Sequence, residues 1–305
     1  MRKLISVCVC LLLVLNSFSQ EFCTHWISYP DSNDSSQVWF RHTYFPHLLP
    51  KQVSLAVASQ GKFQVFVNER NVSTDILLPG EKGNNKDIVS ICFDITRYIR
   101  SDSNTIAIWY APTNSNPTDK QISATVFGIG HNGKKFAYFS DGTWLTHIAF
   151  GWNKGETEGF DNSKYNKEWR KITTDTDDWQ WAAKPKDNKL YHFIEKQCYY
   201  KSLKRYHNYS PELSINGNDS IKCSFPKLFT GWIRLTIRNA RAGSVLHIGN
   251  FSYICNGEID EQACRRFSID TQKDVFIWGD GLKISQLQDV EGIEIMPYIH
   301  KSYMY

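Results

Sequence analysis

The sequence predicts an all-β protein built as two tandem antiparallel β-sandwiches. Three observations carry this. Apolar residues recur with period two, as in Phe63-Gln64-Val65-Phe66-Val67, the period of a half-buried strand. The runs are short and closely spaced, with turn residues between them, which suits jelly-roll or Greek-key wiring. No long segment shows the 3.6-residue apolar period of an amphipathic helix. The chain has 305 residues, room for about two domains.

In chain order, Trp26-Ile27-Ser28-Tyr29 opens the first half, and Val38 to Phe45 alternates bulky and polar residues. Val53 to Ala58 is the next strand, and Gly61 turns into the run from Phe63. Asn68-Glu69-Arg70-Asn71 reads as a turn and Pro79-Gly80 as a second one. Ile88 to Phe93 and Thr105 to Trp109 are apolar strands separated by a polar turn at Ser101 to Asn104. A Pro- and Asn-rich loop follows, Ala111 to Lys120, at an end of the sandwich where ligands are often met. Ile122 to Ile129 and Phe136 to Phe139 flank the turn Gly130-His131-Asn132-Gly133 and read as a hairpin. Residues 184–211 are basic, polar and aromatic and read as a connector with one strand in it. Beyond it, Trp232 to Ile237 alternates cleanly.

Hydrophobic residues make up 41% and charged residues 22%, so a packed core is expected. Arg2-Lys3 followed by the apolar stretch Leu4 to Leu15 and by Ser17-Phe18-Ser19 reads as a signal peptide, residues 1–19, cleaved before Gln20. Phe22 before Cys23 disfavours lipidation. No other segment is long and apolar enough to cross a membrane. The expectation is an exported protein, periplasmic, secreted or on the cell surface. Without Arg2 and Lys3, 33 basic residues face 31 acidic ones, too even a balance for a nucleic-acid binder. Cys23, Cys92, Cys198, Cys223, Cys255 and Cys264 remain after cleavage, and six cysteines allow 15 pairings. Cys255 and Cys264 are the closest pair. Cys92 sits in an apolar strand and reads as a buried free thiol. No C-x-x-C, phosphate loop or dinucleotide fingerprint occurs, and the nine histidines lack metal-ligand spacing, so neither a metal nor another cofactor is expected.

Four stretches in order, Phe63 to Asn68 (F-x-V-F-V-N), Leu77 to Gly80 (L-L-P-G), Phe93 to Ile99 (F-D-I-T-R-Y-I) and Asn104 to Trp109 (N-T-I-A-I-W), resemble the N-terminal β-sandwich of bacterial α-L-rhamnosidases. Asn68-Glu69 stands where that family has Asn-Gly, and Ser103-Asn104 where it has Gly-Asn. The resemblance continues through Ser140 to Trp144, Gly155 to Asp161 and Asp177 to Ala182. Phe229 to Trp232, Ala242 to Gly249, Asn256 to Ile259 and Asp274 to Gly281 resemble the small concanavalin-like module that follows. The resemblance implies a galactose-binding-like sandwich over 20–183, the connector 184–211, and a second sandwich over 212–305. It covers only the accessory part of the family. No segment resembles the helical barrel that carries the family's catalytic acid and base.

This implies a non-catalytic carbohydrate-binding or accessory module in glycan utilisation, with a glycan or oligosaccharide, and a partner glycosidase, as binding partners. A sugar site needs a flat aromatic face with hydrogen-bonding groups beside it. Trp152 and Asn153 beside Glu156 and Asp161 are the first candidate, and Trp109 and Tyr110 beside Asn114 and Asn116 the second. Trp39, Trp144 and Trp232 are assigned to the core. A glycoside hydrolase is the alternative, because hydrolysis needs two carboxyl groups about 5–10 Å apart. Three loops cluster carboxylates: Glu156, Glu158 and Asp161; Asp175, Asp177 and Asp178; Glu258, Asp260 and Glu261. A structural surface protein is the third reading.

Overall fold

The computed structural model describes residues 25–31, 35–81, 88–113, 120–185, 201–217 and 220–298. The signal segment 1–19, Cys23, Cys198, Asn114, Asn116 and much of the connector 184–211 lie outside the described residues. The first half contributes β1 (Trp26–Ser28), β2 (Ser36–Tyr44), β3 (Gln52–Ser59), β4 (Lys62–Val67), β5 (Arg70–Asn71), β6 (Ile76–Glu81) and β7 (Ser90–Asp94). It continues with β8 (Asn104–Ala111), β9 (Gln121–Ile129), β10 (Lys135–Phe139), β11 (Leu145–Lys154), β12 (Thr157–Asp161) and β13 (Gln180–Trp181). The second half contributes β14 (Lys201–Tyr209), β15 (Glu212–Asn216), β16 (Ser220–Arg238), β17 (Val245–Ile248), β18 (Phe251–Ile254), β19 (Asp260–Cys264), β20 (Asp270–Gly279) and β21 (Leu287–Tyr298). The described residues are all-β, with two short 3₁₀ turns.

The strands do not segregate into two separate sandwiches. Twelve of them close into a ring through both halves, in the order β12-β18-β17-β20-β16-β21-β14-β6-β4-β8-β2-β11, with β11 returning to β12. A second sheet of five strands, β1-β9-β3-β7 with β10 beside β9, packs outside the ring. The two halves meet twice, in the antiparallel pair of β6 with β14 and in a parallel pair, β12 with β18, in which Glu158 lies opposite Phe251 and Asp161 opposite Ile254.

This layout makes β2, β4 and β8 a shared middle layer. Val38, Phe40, Val65, Ile106 and Ile108 face the five-stranded sheet and join Leu55, Val57 and Ile122 in one core. Trp39, Phe66, Ala107 and Trp109 face the ring interior and join Ile221, Leu235, Phe251 and Ile277 in another. Every residue of β8 is buried. Alternation along β4 predicts one covered face, but the second half covers the other as well, which is why Phe66 is apolar where a half-buried strand would be polar. Trp39, Trp144 and Trp232 are buried, as assigned.

The turns follow local chemistry with one exception. Asn68 and Glu69 have φ of 49° and 72° and join β4 to β5. Asn68 Nδ2 donates to the Tyr98 carbonyl (2.7 Å) and to Asn104 Oδ1 (2.9 Å), so its side chain is needed there. Glu69 is exposed and pays the left-handed backbone cost without such bonds. Glu69→Gly is expected to raise the unfolding free energy by about 0.5–1 kcal/mol, read from the urea midpoint at unchanged slope. The exception is Pro79-Gly80, which lies inside β6 rather than at a turn. β6 touches its neighbours at few positions, Leu78 opposite Phe63, and Ile76 and Glu81 opposite Leu203 and Lys201, and such sparse pairing tolerates a residue with no N–H to donate.

Cys92 is exposed, not buried: Ile91 and Phe93 take the inward face of β7, and period two turns Cys92 outward. Among the described residues, Cys223, Cys255 and Cys264 form no disulfide. Burial pushes the Cys223 and Cys255 thiols up to about 12 and the Cys264 thiol to about 11.

Candidate functional site

The four residues of the first sequence candidate lie on or beside the β11–β12 hairpin without lining a common cavity. Trp152 is half-buried and lies on the backbone of Gly159, where an added Cβ would stand 1.9 Å from its ring. Asn153 Oδ1 accepts a bond from Gln37 Nε2 at 2.8 Å. Glu156 is exposed at the hairpin tip. Asp161 is buried, and its Oδ1 accepts from the Ser163 amide (3.1 Å) and hydroxyl (2.5 Å). The second candidate pair lies in the interior. Trp109 Nε1 donates to Gln37 Oε1 at 2.9 Å and its ring faces the ring core, while Tyr110 faces the other core.

The clustered carboxylates are largely committed to holding the fold. Glu158, also buried, accepts the amides of Arg266 (2.8 Å), Phe267 (3.1 Å) and Ser268 (2.8 Å) and the Ser268 hydroxyl (2.6 Å). Three successive N–H groups converging on a carboxylate form an anion nest, and here the anion comes from the other half of the chain. Glu261 accepts from Tyr253 Oη (3.1 Å) and from the amides of Asn256 and Gly257 (both 2.8 Å). Glu258 pairs with Lys167, Asp260 with Arg238, and Asp178 with His147.

The concave feature best suited to a small organic ligand is elsewhere in the first half. β2 runs out at Tyr44 into the loop 45–51, and the β9–β10 hairpin stands beside it. The hairpin is closed by Gly130 N–H to the Lys134 carbonyl (2.8 Å), with Gly133 at φ 78°. Between them lies a pocket of about 470 Å³. Its walls are aromatic. Tyr138 packs 5.9 Å from Tyr44 and 5.4 Å from Phe136, ring centre to ring centre. His42 packs edge-on to Tyr44 at 4.5 Å and stacks on the buried Trp144 at 5.7 Å. Val53, Ile99 and Val126 form apolar floor, and His47 and Leu48 form rim.

The polar groups of this pocket are few and perturbed by burial. Burial holds the His42 imidazole below its usual range, partly offset by the Thr143 carbonyl and the Asp141 charge. Burial likewise pushes the Tyr44 phenol up. His42 Nδ1 is engaged by the Thr143 carbonyl at 3.3 Å. Tyr138 on β10 and Phe45 on the loop beside it are 54% and 69% exposed, a large outlay of aromatic surface. Such a pocket, mostly apolar with a few convergent polar groups, has the general character of a ligand site. None of its residues is a sugar-site candidate by sequence. The available signal was Phe45-Pro46-His47-Leu48-Leu49-Pro50, a strand connection as apolar as a strand and bounded by prolines.

A closed ring of strands backed by a five-stranded sheet, with an aromatic pocket at the loop end, defines the chain as an all-β protein. More particularly, its fold is similar to part of α-L-rhamnosidases. The Dictyoglumus thermophilum enzyme matches with a TM-score of 0.79 and 17% identity, over 90% of this chain and 35% of that one. The Aspergillus terreus enzyme matches with 0.75 and 12%, over 92% and 36%. The Streptomyces avermitilis enzyme, solved in complex with L-rhamnose, matches with 0.73 and 15%, over 87% and 29%. The chain thus spans about a third of the length of these enzymes. At these identities the likeness is one of fold, and it agrees with the relation that the sequence motifs imply. No protein-family model and no curated protein matches the sequence.

Proposed function

We propose that this chain is an exported, non-catalytic carbohydrate-binding module of glycan utilisation, and that it holds its sugar in the aromatic pocket between the loop 45–51 and the β9–β10 hairpin. The observation that carries the reading is the exposed Tyr138 ring over a pocket walled by Tyr44, Phe136 and His42. Sugar C–H groups pack on such rings, and the His42 imidazole and the Tyr138 hydroxyl would meet sugar hydroxyls. L-rhamnose, the sugar held by the Streptomyces avermitilis enzyme, ends in a methyl group, which suits the apolar floor of Val53, Ile99 and Val126. Hydrolysis is then the work of a partner glycosidase. The engagement of Glu158 and Glu261 with backbone amides weighs against carboxylate catalysis within this chain.

The test is calorimetric titration with L-rhamnose and rhamnose-terminated oligosaccharides, together with a glycan-array screen, with free sugar assayed in parallel. Saturable binding without release is expected. Tyr138→Ala is expected to weaken it about tenfold, roughly 1.4 kcal/mol, without shifting the unfolding midpoint. Released sugar would return the hydrolase reading, and unchanged affinity in Tyr138→Ala would remove the pocket from consideration.

A further inference from the structure

A second surface, on the other half of the molecule, has the chemistry of a carbohydrate site of a different kind. Strand pairing sets His247 of β17 opposite Trp278 of β20, Trp278 opposite Ser220 of β16, and Ser220 opposite Asn216 of β15. One row along, Phe276 lies opposite Lys222. Residues two apart on a strand share a face, so Phe276 and Trp278 stand side by side about 7 Å apart. They are 40% and 39% exposed. Val275 and Ile277 between and beside them are held in the ring core, which fixes the two aromatics on the outside. The His247 ring stacks on Trp278 at 5.0 Å and 21°, and His247 Nδ1 is within 3.1 Å of Ser252 Oγ. The shelf is therefore braced across strands before any ligand arrives.

At one end the shelf opens into a hollow. Trp278, His247 and Ser220 border a depression with Val245 and the turn Gly279-Asp280-Gly281. The same turn and Val245 line a larger basin of about 800 Å³ whose other walls include Arg241, Ser244 and Lys283. The charges here differ from those nearby. Arg238, three residues before Arg241, is closed onto Asp260 by two bonds of 2.8 and 3.1 Å. Lys222, on the shelf, is 3.4 Å from Asp274. Arg241, Lys283 and Asp280 have no ion pair with any other residue among the described residues. Two uncommitted cations against one carboxylate, at the end of an aromatic shelf, complement a ligand that is flat along its length and anionic at intervals.

We propose that this face binds an extended acidic oligosaccharide, a chain containing uronic acid residues. Sugar faces stack on Trp278 and Phe276, a uronate carboxylate meets Arg241 and Lys283 in the basin, and Asp280 and Ser220 accept hydroxyl hydrogens. The site is independent of the pocket beneath Tyr138, so the protein carries two carbohydrate sites of unlike chemistry, one on each half.

The experiment titrates the full chain with hexagalacturonate and with its fully methyl-esterified counterpart at low and moderate salt. Hexagalacturonate is expected to bind at least about tenfold more tightly than the ester, with the difference shrinking as salt rises. Trp278→Ala, at an exposed position, is expected to weaken both ligands about tenfold at an unchanged unfolding midpoint. The double variant Arg241→Gln with Lys283→Gln is expected to abolish the preference for the acid while leaving ester binding intact. Tyr138→Ala is expected to change none of these, which separates this site from the pocket. Equal binding of acid and ester would overturn the anionic assignment. No binding of either, or full affinity in Trp278→Ala, would overturn the site.

Discussion

Trp39→Ala is expected to lower the unfolding free energy by about 3–5 kcal/mol, a large share of the roughly 5–15 kcal/mol that holds a domain folded. Trp39 stands on the ring-interior face of β2. Its ring stacks on Trp169 at 4.8 Å with the planes 6° apart, meets Trp109 edge-on at 6.0 Å, and lies 5.9 Å from His147. Removing it deletes a fully buried aromatic from a cluster drawn from β2, β8, β11 and the segment after β12. Backbone pairing on both sides of β2 limits how far the cavity can collapse. Trp39 Nε1 has no hydrogen-bond partner among the described residues, so Trp39→Phe keeps most of the packing and removes a buried unpaired donor. Its cost is expected to stay below about 1.5 kcal/mol. Urea unfolding of both variants checks this, and an alanine variant as stable as the phenylalanine one would sink the argument.

Glu158→Ala is expected to cost about 3–5 kcal/mol by a different mechanism. The substitution leaves the amides of Arg266, Phe267 and Ser268 and the Ser268 hydroxyl without their acceptor, in a place where water has little access. Arg265 is buried nearby, and the Glu158 charge offsets part of the burial that lowers its guanidinium pKa, so the loss leaves a buried cation less compensated. Glu158→Gln keeps one acceptor oxygen and is expected to fall between alanine and wild type. Glu156→Ala, two residues away and exposed, is the control and is expected within about 0.5 kcal/mol of wild type. Equal stability of the Glu156 and Glu158 alanine variants, measured by the same unfolding curves, would mean that the nest does not tie the halves together.

These two residues mark how far the sequence could be read. Trp39 sits in a strand of alternating bulky and polar residues, a pattern that assigns it to the core, and that is where it lies. Glu158 was one of three acids in Gly-Glu-Thr-Glu-Gly-Phe-Asp, and nothing local distinguishes it from Glu156. What separates them is that period two turns Glu158 inward on β12, and β12 pairs with β18, a strand about ninety residues later. Trp109 and Tyr110 precede a Pro- and Asn-rich loop, which makes them candidate sugar contacts in the sequence. The second half covers one side of β8 and the five-stranded sheet the other, so both residues are interior. The aromatic pocket was missed for the converse reason. Tyr44, Tyr138 and His42 each look like ordinary strand residues, and only the approach of the loop 45–51 to the β9–β10 hairpin makes them neighbours.

By itself the sequence determined what depends on neighbours a few residues apart: the all-β class, the β9–β10 hairpin, the Asn68-Glu69 turn, the inward face of most strands, and a kinship of fold with α-L-rhamnosidases. The tertiary structure decided the closure of twelve strands into one ring, the second covered face of the middle layer, and the use of acids as fasteners. It also decided the placement of the two aromatic surfaces. Alternation fixes which side chains share a face of a strand, but not which distant strand or loop covers that face. That choice is made by pairing and packing between segments that the sequence does not set side by side.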